Sequence, residues 1–215
     1  MKSFIPINEN GLAMILARTC CRSFNPKKAI NDQIIELILK AGQAAPSAKN
    51  RQPYYFLIIK NKLCLSKIAQ ASYIGRRRQF ADWDRKKTEI MIKGNSYLNS
   101  NDAIILQAPV TIIAFRKSDL NYQEAQPNEL NIKEEQSVAN ACYSMLLAAW
   151  SLGIGSAWLC SPLYIKDELK AILGKYGVKW QKNWQPRTMI PLGYPLRELT
   201  KPKRKSLEEI FQNIN

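Results

Sequence analysis

The sequence contains no histidine, and this absence limits the chemistry available to the chain. Without an imidazole there is no Ser-His-Asp or Cys-His nucleophile system and no histidine-ligated metal site. If the protein is an enzyme, we therefore expect a bound cofactor to carry the chemistry, while the protein supplies orientation and charge.

Cysteine is scarce and irregularly placed. The five cysteines are odd in number and include no Cys-x-x-Cys pair, since they stand at Cys20, Cys21, Cys64, Cys142 and Cys160. This pattern favours neither a disulfide framework nor a zinc site, and we predict no bound metal.

Long apolar runs are also missing. No stretch of about 18 consecutive apolar residues occurs, so the sequence predicts no membrane-spanning helix. Pro6, Asn8 and Glu9 interrupt the first residues before the apolar part of a secretory signal could form. We therefore expect a soluble, cytoplasmic protein. Its 215 residues fit a single domain, or one protomer of an intertwined oligomer.

Acidic residues are outnumbered, with 17 Asp and Glu against 32 Lys and Arg and a formal net charge of +15. This balance favours anionic partners: nucleotides, phosphorylated cofactors, nucleic acid or an acidic membrane surface. Basic residues cluster at 76–78, 85–87 and 201–205. The first two clusters fit a solvated surface, a position near a nucleotide substrate, or nucleic-acid binding.

One stretch, residues 137–161, organises the chain. Apolar residues surround the helix predicted over 138–152, so it should be covered on every side. At about 1.5 Å per residue it spans roughly 22 Å, less than the roughly 30 Å of a bilayer core. Small residues would also permit close approach of a second copy, namely Ala139, Ala141, Ala148 and Ala149.

Gly153 and Gly155 form a Gly-x-Gly pair directly after this helix. A dinucleotide-binding loop instead follows a strand, opens a helix and has a third glycine, where this chain has Trp158. We therefore predict that Gly153 ends the helix in the left-handed conformation. Residues 157–160 should form a strand, closed by Ser161 and Pro162.

The remaining pattern predicts helices and strands in alternation. Short helices are expected over 12–17, from Asn31 or Asp32 to about Gly42, and over 164–173, the last closed by Gly174. The second should turn inward the side chains of Ile34, Ile35, Leu37, Ile38 and Ala41. Strands are expected over 55–59, 110–115 and 188–192, with 110–115 buried on both faces.

Three segments are harder to assign. Residues 63–107 look helical, and 76–101 could form a lid whose aromatic residues either meet a substrate or join the core: Tyr73, Phe80, Trp83 and Tyr97. Residues 117–134 are predicted as a surface excursion. The tail over 196–215 is basic and then amphipathic, and we expect it to dock as an arm.

Two polar stretches are candidate binding sites. Arg18 and Arg22 stand four residues apart, which suits either a phosphate clamp or the stabilisation of a helix C terminus. Residues 45–53 join a helix to a strand with Asn50 and Gln52 set between prolines. This loop is either a platform for reading a ligand or an ordinary connection.

Four separated motifs resemble one family, the FMN-dependent nitroreductases. Arg18-x-x-x-Arg22-x-Phe24 resembles its RRSxRxF signature, and residues 45–53 resemble its APSAxNxQPW loop. Residues 136–158 resemble its central helix and strand, and 190–195 its late strand. The resemblance covers the whole chain and extends through 204–210. It implies an α+β fold, a mixed and mostly antiparallel sheet wrapped by helices, assembled as an intertwined homodimer with FMN in each interface cleft.

The resemblance also implies roles for residues of this sequence. The phosphate and ribityl chain of FMN would be held by Arg18, Thr19, Cys20, Arg22 and Arg204. The other subunit would border the flavin ring with Pro46, Ser47, Ala48 and Asn50. Beside the ring would pass Leu159, Cys160, Ser161 and Pro162, with a backbone N–H near Cys160 or Ser161 directed at flavin N5, and Gly193 would complete the site.

The implied activity is that of an NAD(P)H oxidoreductase without a catalytic side chain. NADH or NADPH would give a hydride to FMN and leave, and a nitroaromatic, a quinone or another electron-poor acceptor would then be reduced at the same place. Two alternatives stay open: a flavoprotein of this fold that does not use NAD(P)H, and a basic nucleic-acid-binding protein.

The sequence departs from the family pattern at three places. Cys20 stands where serine is usual, and a thiol is a poor hydrogen-bond donor. Tyr54 or Tyr55 replaces the usual tryptophan, and Ser144 the frequent asparagine. These differences concern the choice of substrate rather than the ability to bind flavin.

Overall fold

The computed structural model describes residues 9–78, 101–118 and 127–214. In these ranges the helices are α1 (Glu9–Ala17), α2 (Asp32–Gln43), α3 (Lys62–Arg78), α4 (Ile104–Gln107), α5 (Pro127–Ser151) and α6 (Lys166–Gly174). The strands are β1 (Tyr54–Ile59), β2 (Val110–Lys117), β3 (Gly155–Ser156) and β4 (Trp184–Gly193). Short 3₁₀ turns cover Ala48–Asn50, Asn101–Ala103 and Ser161–Leu163.

The four strands form one sheet in the order β1-β2-β4-β3. Each neighbouring pair is antiparallel, with Tyr54 opposite Arg116, Val110 opposite Leu192, and Gly155 opposite Gly193. Strands β1 and β3 are therefore the edges. The predicted α+β fold with a mostly antiparallel sheet is confirmed, and every described pairing is antiparallel.

Strand β2 is buried on both faces, as predicted. Ile112 and Ala114 pack into a core formed with α2 and α5, whereas Ile113 and Phe115 pack into a second core formed with α3 and α6. This alternation follows from the two-residue period of a strand. Since burial of one large apolar side chain contributes about 1.5–3 kcal/mol, β2 stabilises both layers.

Helix α2 begins at the predicted cap, because the Asn31 side chain accepts a hydrogen bond of 2.8 Å from the backbone N–H of Gln33. Ile35 and Ile38 are buried, as predicted. The prediction for Leu37 is wrong, since its side chain is 50% exposed. It lies two residues from Ile35 and therefore on the opposite side of the helix.

Helix α5 is longer than predicted and begins at Pro127, so residues 127–134 are helical rather than part of a surface excursion. Proline suits the first turn of a helix, where no N–H partner is needed. The helix is also not covered on every side in this chain. Ala139, Asn140 and Tyr143 are exposed, which leaves a stripe open to another chain.

The chain leaves α5 through Gly153, whose φ of 71° confirms the predicted left-handed end. The following strand is Gly155–Ser156 rather than 157–160, and Leu159 forms an isolated bridge to Met189. Helix α6 ends at Gly174, as predicted, and the left-handed glycine after it is Gly177, with φ of 83°.

The prediction of helix over 63–107 is confirmed at its two ends by α3 and α4. Tyr73 belongs to the core, with 5% exposure. The residues predicted as a lid, including Phe80, Trp83 and Tyr97, lie largely outside the described ranges, as does the basic cluster at 85–87. Among the helices that are described, none is both long and apolar enough to span a membrane.

Candidate functional site

The segment over residues 18–24, here called the arginine segment, follows α1 and lies along the edge of the sheet. The Cys21 N–H donates to the Ser156 carbonyl at 2.8 Å, and the Leu196 N–H donates to the Ser23 carbonyl at 3.0 Å. Phe24 also forms a bridge with Pro195. The segment is therefore fixed between β3 and the chain that leaves β4.

Two glycines make this close packing possible. A Cβ added to Gly155 would lie 2.7 Å from Cys21 Sγ, and one added to Gly193 would lie 2.7 Å from a ring carbon of Phe24. Both distances are shorter than a van der Waals contact. Gly193, predicted as a site residue, therefore packs against Phe24, which stands two residues after Arg22.

Arg18 has a buried guanidinium nitrogen that suits an anion. Its backbone N–H still bonds to the Met14 carbonyl at the end of α1, at 3.0 Å. Its Nε is buried and has no hydrogen-bond partner within the described part of the chain. A buried donor without an acceptor is costly, so this atom fits an anionic ligand such as a phosphate. Arg22 is exposed on the same segment.

The start of the basic tail meets the arginine segment. Thr19, which is 3% exposed, lies with its hydroxyl oxygen 3.5 Å from the Thr200 carbonyl. Arg204 follows four residues later and is exposed together with Lys201, Lys203 and Lys205. This arrangement adds positive charge near Arg18 and Arg22, which favours an anionic ligand.

Residues 159–162 are held against β4. Leu159 and Met189 exchange two backbone hydrogen bonds of 2.9 Å, and the Thr188 hydroxyl donates to the Leu159 carbonyl at 2.9 Å. Cys160 is exposed. Ser161 is 7% exposed, and its buried hydroxyl oxygen has no hydrogen-bond partner among the residues described. Thr188 was not predicted as a site residue, because it lies outside the four motifs.

The loop over residues 45–53, here called the proline loop, has a strained backbone. Lys49, Asn50 and Gln52 have φ values of 54°, 53° and 51°, which non-glycine residues seldom adopt. The Ser47 hydroxyl braces the loop by accepting the Gln52 N–H at 3.0 Å. Because such strain concentrates at functional sites, it favours the ligand platform over the ordinary connection.

The proline loop and the arginine segment lie at opposite corners of the sheet. The loop enters β1 beside Arg116. The arginine segment lies beside β3, near Leu192, which pairs with Val110 of β2. Six residues along β2 correspond to about 20 Å, and three strand spacings to about 14 Å. The structure therefore does not bring the two sets of predicted site residues together within one chain.

A buried ionic cluster joins α5 to the sheet near the proline loop. Arg116 lies 3.6 Å from Glu134, and the two side chains are 6% and 2% exposed. The Ser118 hydroxyl donates to Glu134 at 2.9 Å, and Arg187 Nε donates to both carboxylate oxygens of Glu135 at 2.6 and 2.7 Å. Burial, and then the charge of Arg187, lowers the pKa of Arg116. This cluster could not be predicted from the sequence, because Arg116, Glu134 and Arg187 are far apart in the chain.

The five cysteines differ in how deeply they are buried. Burial raises the pKa of the Cys142 thiol to about 12 and raises the pKa values of Cys21 and Cys64. Cys160 is exposed and Cys20 is half-buried, and all five thiols are free. The described residues contain no group of three or more Cys, Asp or Glu arranged to hold a metal ion.

Comparison with known proteins identifies the family. The family model described as the nitroreductase family matches residues 15–194. The chain belongs to the nitroreductase family. This range contains every predicted site residue except Arg204, which lies beyond it.

Similar proteins support the family and the fold. The chain is 29% identical over 191 residues to an Archaeoglobus fulgidus protein thought to be an NADH dehydrogenase/NAD(P)H nitroreductase, covering 88% of each chain. The crystal structure of a BluB-like flavoprotein from Clostridium difficile 630 superposes with a TM-score of 0.76 at 27% identity, covering 95% of this chain and 98% of that one. A nitroreductase with bound FMN from Bacteroides fragilis has the same fold, with a TM-score of 0.70 at 23% identity over 97% and 100% of the two chains.

For a nitroreductase family member, the described residues fit a phosphorylated flavin. The buried Nε of Arg18 and the buried hydroxyl of Ser161 both lack partners within the described ranges, and they lie on the two segments that the resemblance assigns to FMN. One is a charged donor suited to a phosphate. The other can donate or accept a hydrogen bond.

Proposed function

We propose that the protein is an FMN-dependent oxidoreductase that takes electrons from NADH or NADPH and reduces electron-poor acceptors such as nitroaromatics or quinones. The observation that carries the proposal is the buried Nε of Arg18, which has no hydrogen-bond partner among the described residues and lies in the part of the chain that matches the nitroreductase family. When bound, FMN would supply the hydride chemistry, which amino-acid side chains do not provide.

Arg18 and Arg22 hold the phosphate end of the cofactor, and Arg204 adds a third cation from the tail. A guanidinium suits this task because its donors form a planar fork that matches phosphate oxygens. Thr19 and Cys20 line the ribityl chain from the same segment. Their backbone is kept in place by the hydrogen bond from Cys21 to Ser156.

The residues from Leu159 to Pro162 lie beside the flavin ring. The paired backbone bonds to Met189 and the Thr188 hydroxyl fix Leu159, so the next residues leave β4 in a set direction. The buried Ser161 hydroxyl, which has no hydrogen-bond partner among the described residues, would be available to the cofactor. This support orients polar groups before the cofactor binds, which reduces the cost of ordering them.

The site is completed by a second copy of the chain. Pro46, Ser47, Ala48 and Asn50 lie on the proline loop, about 20 Å along β2 from the arginine segment, and so reach the cofactor of the partner subunit. The exposed stripe of α5 at Ala139, Asn140 and Tyr143 offers the surface for that contact. Apolar tail residues exposed in the single chain, such as Leu207 and Phe211, would be covered by the same partner.

The test begins with the visible spectrum of the purified protein, followed by separate addition of NADH and NADPH without oxygen. Loss of the flavin band with either donor is the expected result and identifies the donor. A yellow protein that neither donor bleaches would contradict the use of NAD(P)H. A colourless protein that takes up no added FMN would refute the proposed function, and salt-sensitive binding to DNA would then favour a nucleic-acid partner.

A double substitution tests the phosphate site. Arg22→Ala with Arg204→Ala should lower FMN retention at least about 10-fold, because each charge-assisted hydrogen bond contributes about 1.5–3 kcal/mol. Lys170→Ala with Lys179→Ala is the matched control, since it removes the same charge from exposed positions elsewhere. Full flavin content in the Arg22 and Arg204 variant would contradict the assignment.

A further inference from the structure

Ser137 occupies an unexpected place for a serine, buried in the middle of helix α5. It is 2% exposed, and its hydroxyl donates to the Lys133 carbonyl one turn earlier at 2.7 Å. Such back-bonding does not favour a helix, so it does not explain the serine. The same oxygen also accepts the backbone N–H of Ala48 at 3.1 Å. Since its proton is engaged within the helix, the oxygen presents its lone pairs to the proline loop.

This hydrogen bond holds one end of a strained segment. Between Ala48 and Gln52 lie two of the three residues with positive φ, Lys49 and Asn50. The Ser47 hydroxyl accepts the Gln52 N–H at 3.0 Å, and Ser137 accepts the Ala48 N–H. The two hydroxyls therefore brace the turn at both ends. The bond to Ser137 ties this brace to helix α5.

The acceptor itself is on a rigid support. Glu134 and Glu135 precede Ser137 by less than one turn and are tied to the sheet through Arg116 and Arg187. Arg116 Nη1 also donates to the Asn131 side chain at 2.8 Å. A hydroxyl on such a support fixes the position of what it binds, since neither the helix nor the sheet can shift alone.

We propose that Ser137 is a positioning residue for the cofactor site. By holding the Ala48 amide it keeps the proline loop in its strained shape, with Ser47, Ala48 and Asn50 placed for the flavin. The inference rests on the proposed function, in which this loop borders the FMN of the partner subunit. Ser137 acts through the loop and makes no contact with the cofactor.

The test compares Ser137→Ala with Ser151→Ala in the full-length protein as purified. Ser151 is the matched control, because its hydroxyl also back-bonds within α5, to the Ala148 carbonyl at 2.8 Å, but lies in the exposed last turn. Hydrogen exchange of a peptide spanning 46–53 should quicken about 10-fold in S137A, as expected for loss of one buried hydrogen bond. The FMN dissociation constant of S137A should also rise about 10-fold.

The conservative variant Ser137→Thr keeps the hydroxyl and should restore both values to within about 3-fold of the wild type. If S137A does not fold, Ser137→Cys replaces it in the same measurements, because a thiol fills the space but accepts hydrogen bonds weakly. Exchange that matches S151A would overturn the inference. So would faster exchange with an unchanged FMN dissociation constant. A wild-type protein that takes up no FMN would instead refute the proposed function.

Discussion

Replacing Gly193 by alanine should destabilise the protein by displacing Phe24 and, with it, the arginine segment. The added Cβ would lie 2.7, 2.8 and 2.9 Å from three carbons of Phe24. Carbon atoms in contact prefer about 3.5–4.0 Å, so the overlap is about 1 Å. Phe24 is 1% exposed and cannot move aside without disturbing its own packing.

The magnitude follows from the cost of overpacking a well-filled core, about 1–3 kcal/mol. For a chain of this length 1 kcal/mol corresponds to about 2–4 °C in Tm, so a fall of roughly 2–12 °C is expected. FMN retention should fall as well, because Phe24 lies two residues from Arg22. Urea unfolding of flavin-free and flavin-loaded protein separates the packing effect from stabilisation by the ligand.

Gly174→Ala is the control, since a Cβ at this position meets no atom within 4 Å and the residue ends helix α6. It should be neutral or stabilising by up to about 1 kcal/mol. Phe24→Leu in the Gly193→Ala background should recover part of the loss by relieving the overlap. Equal stability of the Gly193 and Gly174 variants, or a purely additive double variant, would refute the packing argument.

Two further changes test the buried groups. Arg116→Met should cost about 3–5 kcal/mol in urea unfolding, because Glu134 would keep a buried charge without its partner; a cost below about 1 kcal/mol would show that the cluster is dispensable. Burial raises the pKa of the Cys142 thiol to about 12 in the folded state, whereas the unfolded thiol ionises near its ordinary pKa of about 8.5. The free energy of unfolding is therefore unaffected by this thiol below about pH 8.5. Above that pH it falls by up to about 1.4 kcal/mol per pH unit. Cys142→Ala should therefore lose less stability than the wild type between pH 8.5 and 10, and an equal loss would contradict the role of the thiol.

The sequence allowed the sheet to be predicted better than the helix faces. The unbroken apolar run of β2 required burial on both sides, and Ile112 and Ile113 do face opposite cores. Apolar residues all around α5 suggested full burial, but the pattern cannot tell cover by this chain from cover by another. Tyr143 is 43% exposed in the single chain.

Contacts between distant residues explain most of what could not be predicted in the site. The need for glycine at position 155 comes from Cys21, and the buried oxygen of Ser137 is explained by the amide of Ala48. Such pairs have no local signal, because the partners are separated by about 90 residues or more and meet only after the sheet forms. The proline loop was an exception, since its prolines and amides already suggested a rigid turn.

The opposed positions of the proline loop and the arginine segment have a consequence for the proposed site. In the proposed two-fold dimer, each chain's loop would lie against the other chain's arginine segment, and symmetry would make two equal sites. Neither proposed site would be complete in a monomer, so the proposal predicts that dimer dissociation and cofactor release are linked. The strained loop strengthens this linkage, because its shape is fixed from within its own chain by Ser47 and Ser137, before the partner arrives. Less ordering is then required at the moment of assembly, which favours both association and cofactor binding.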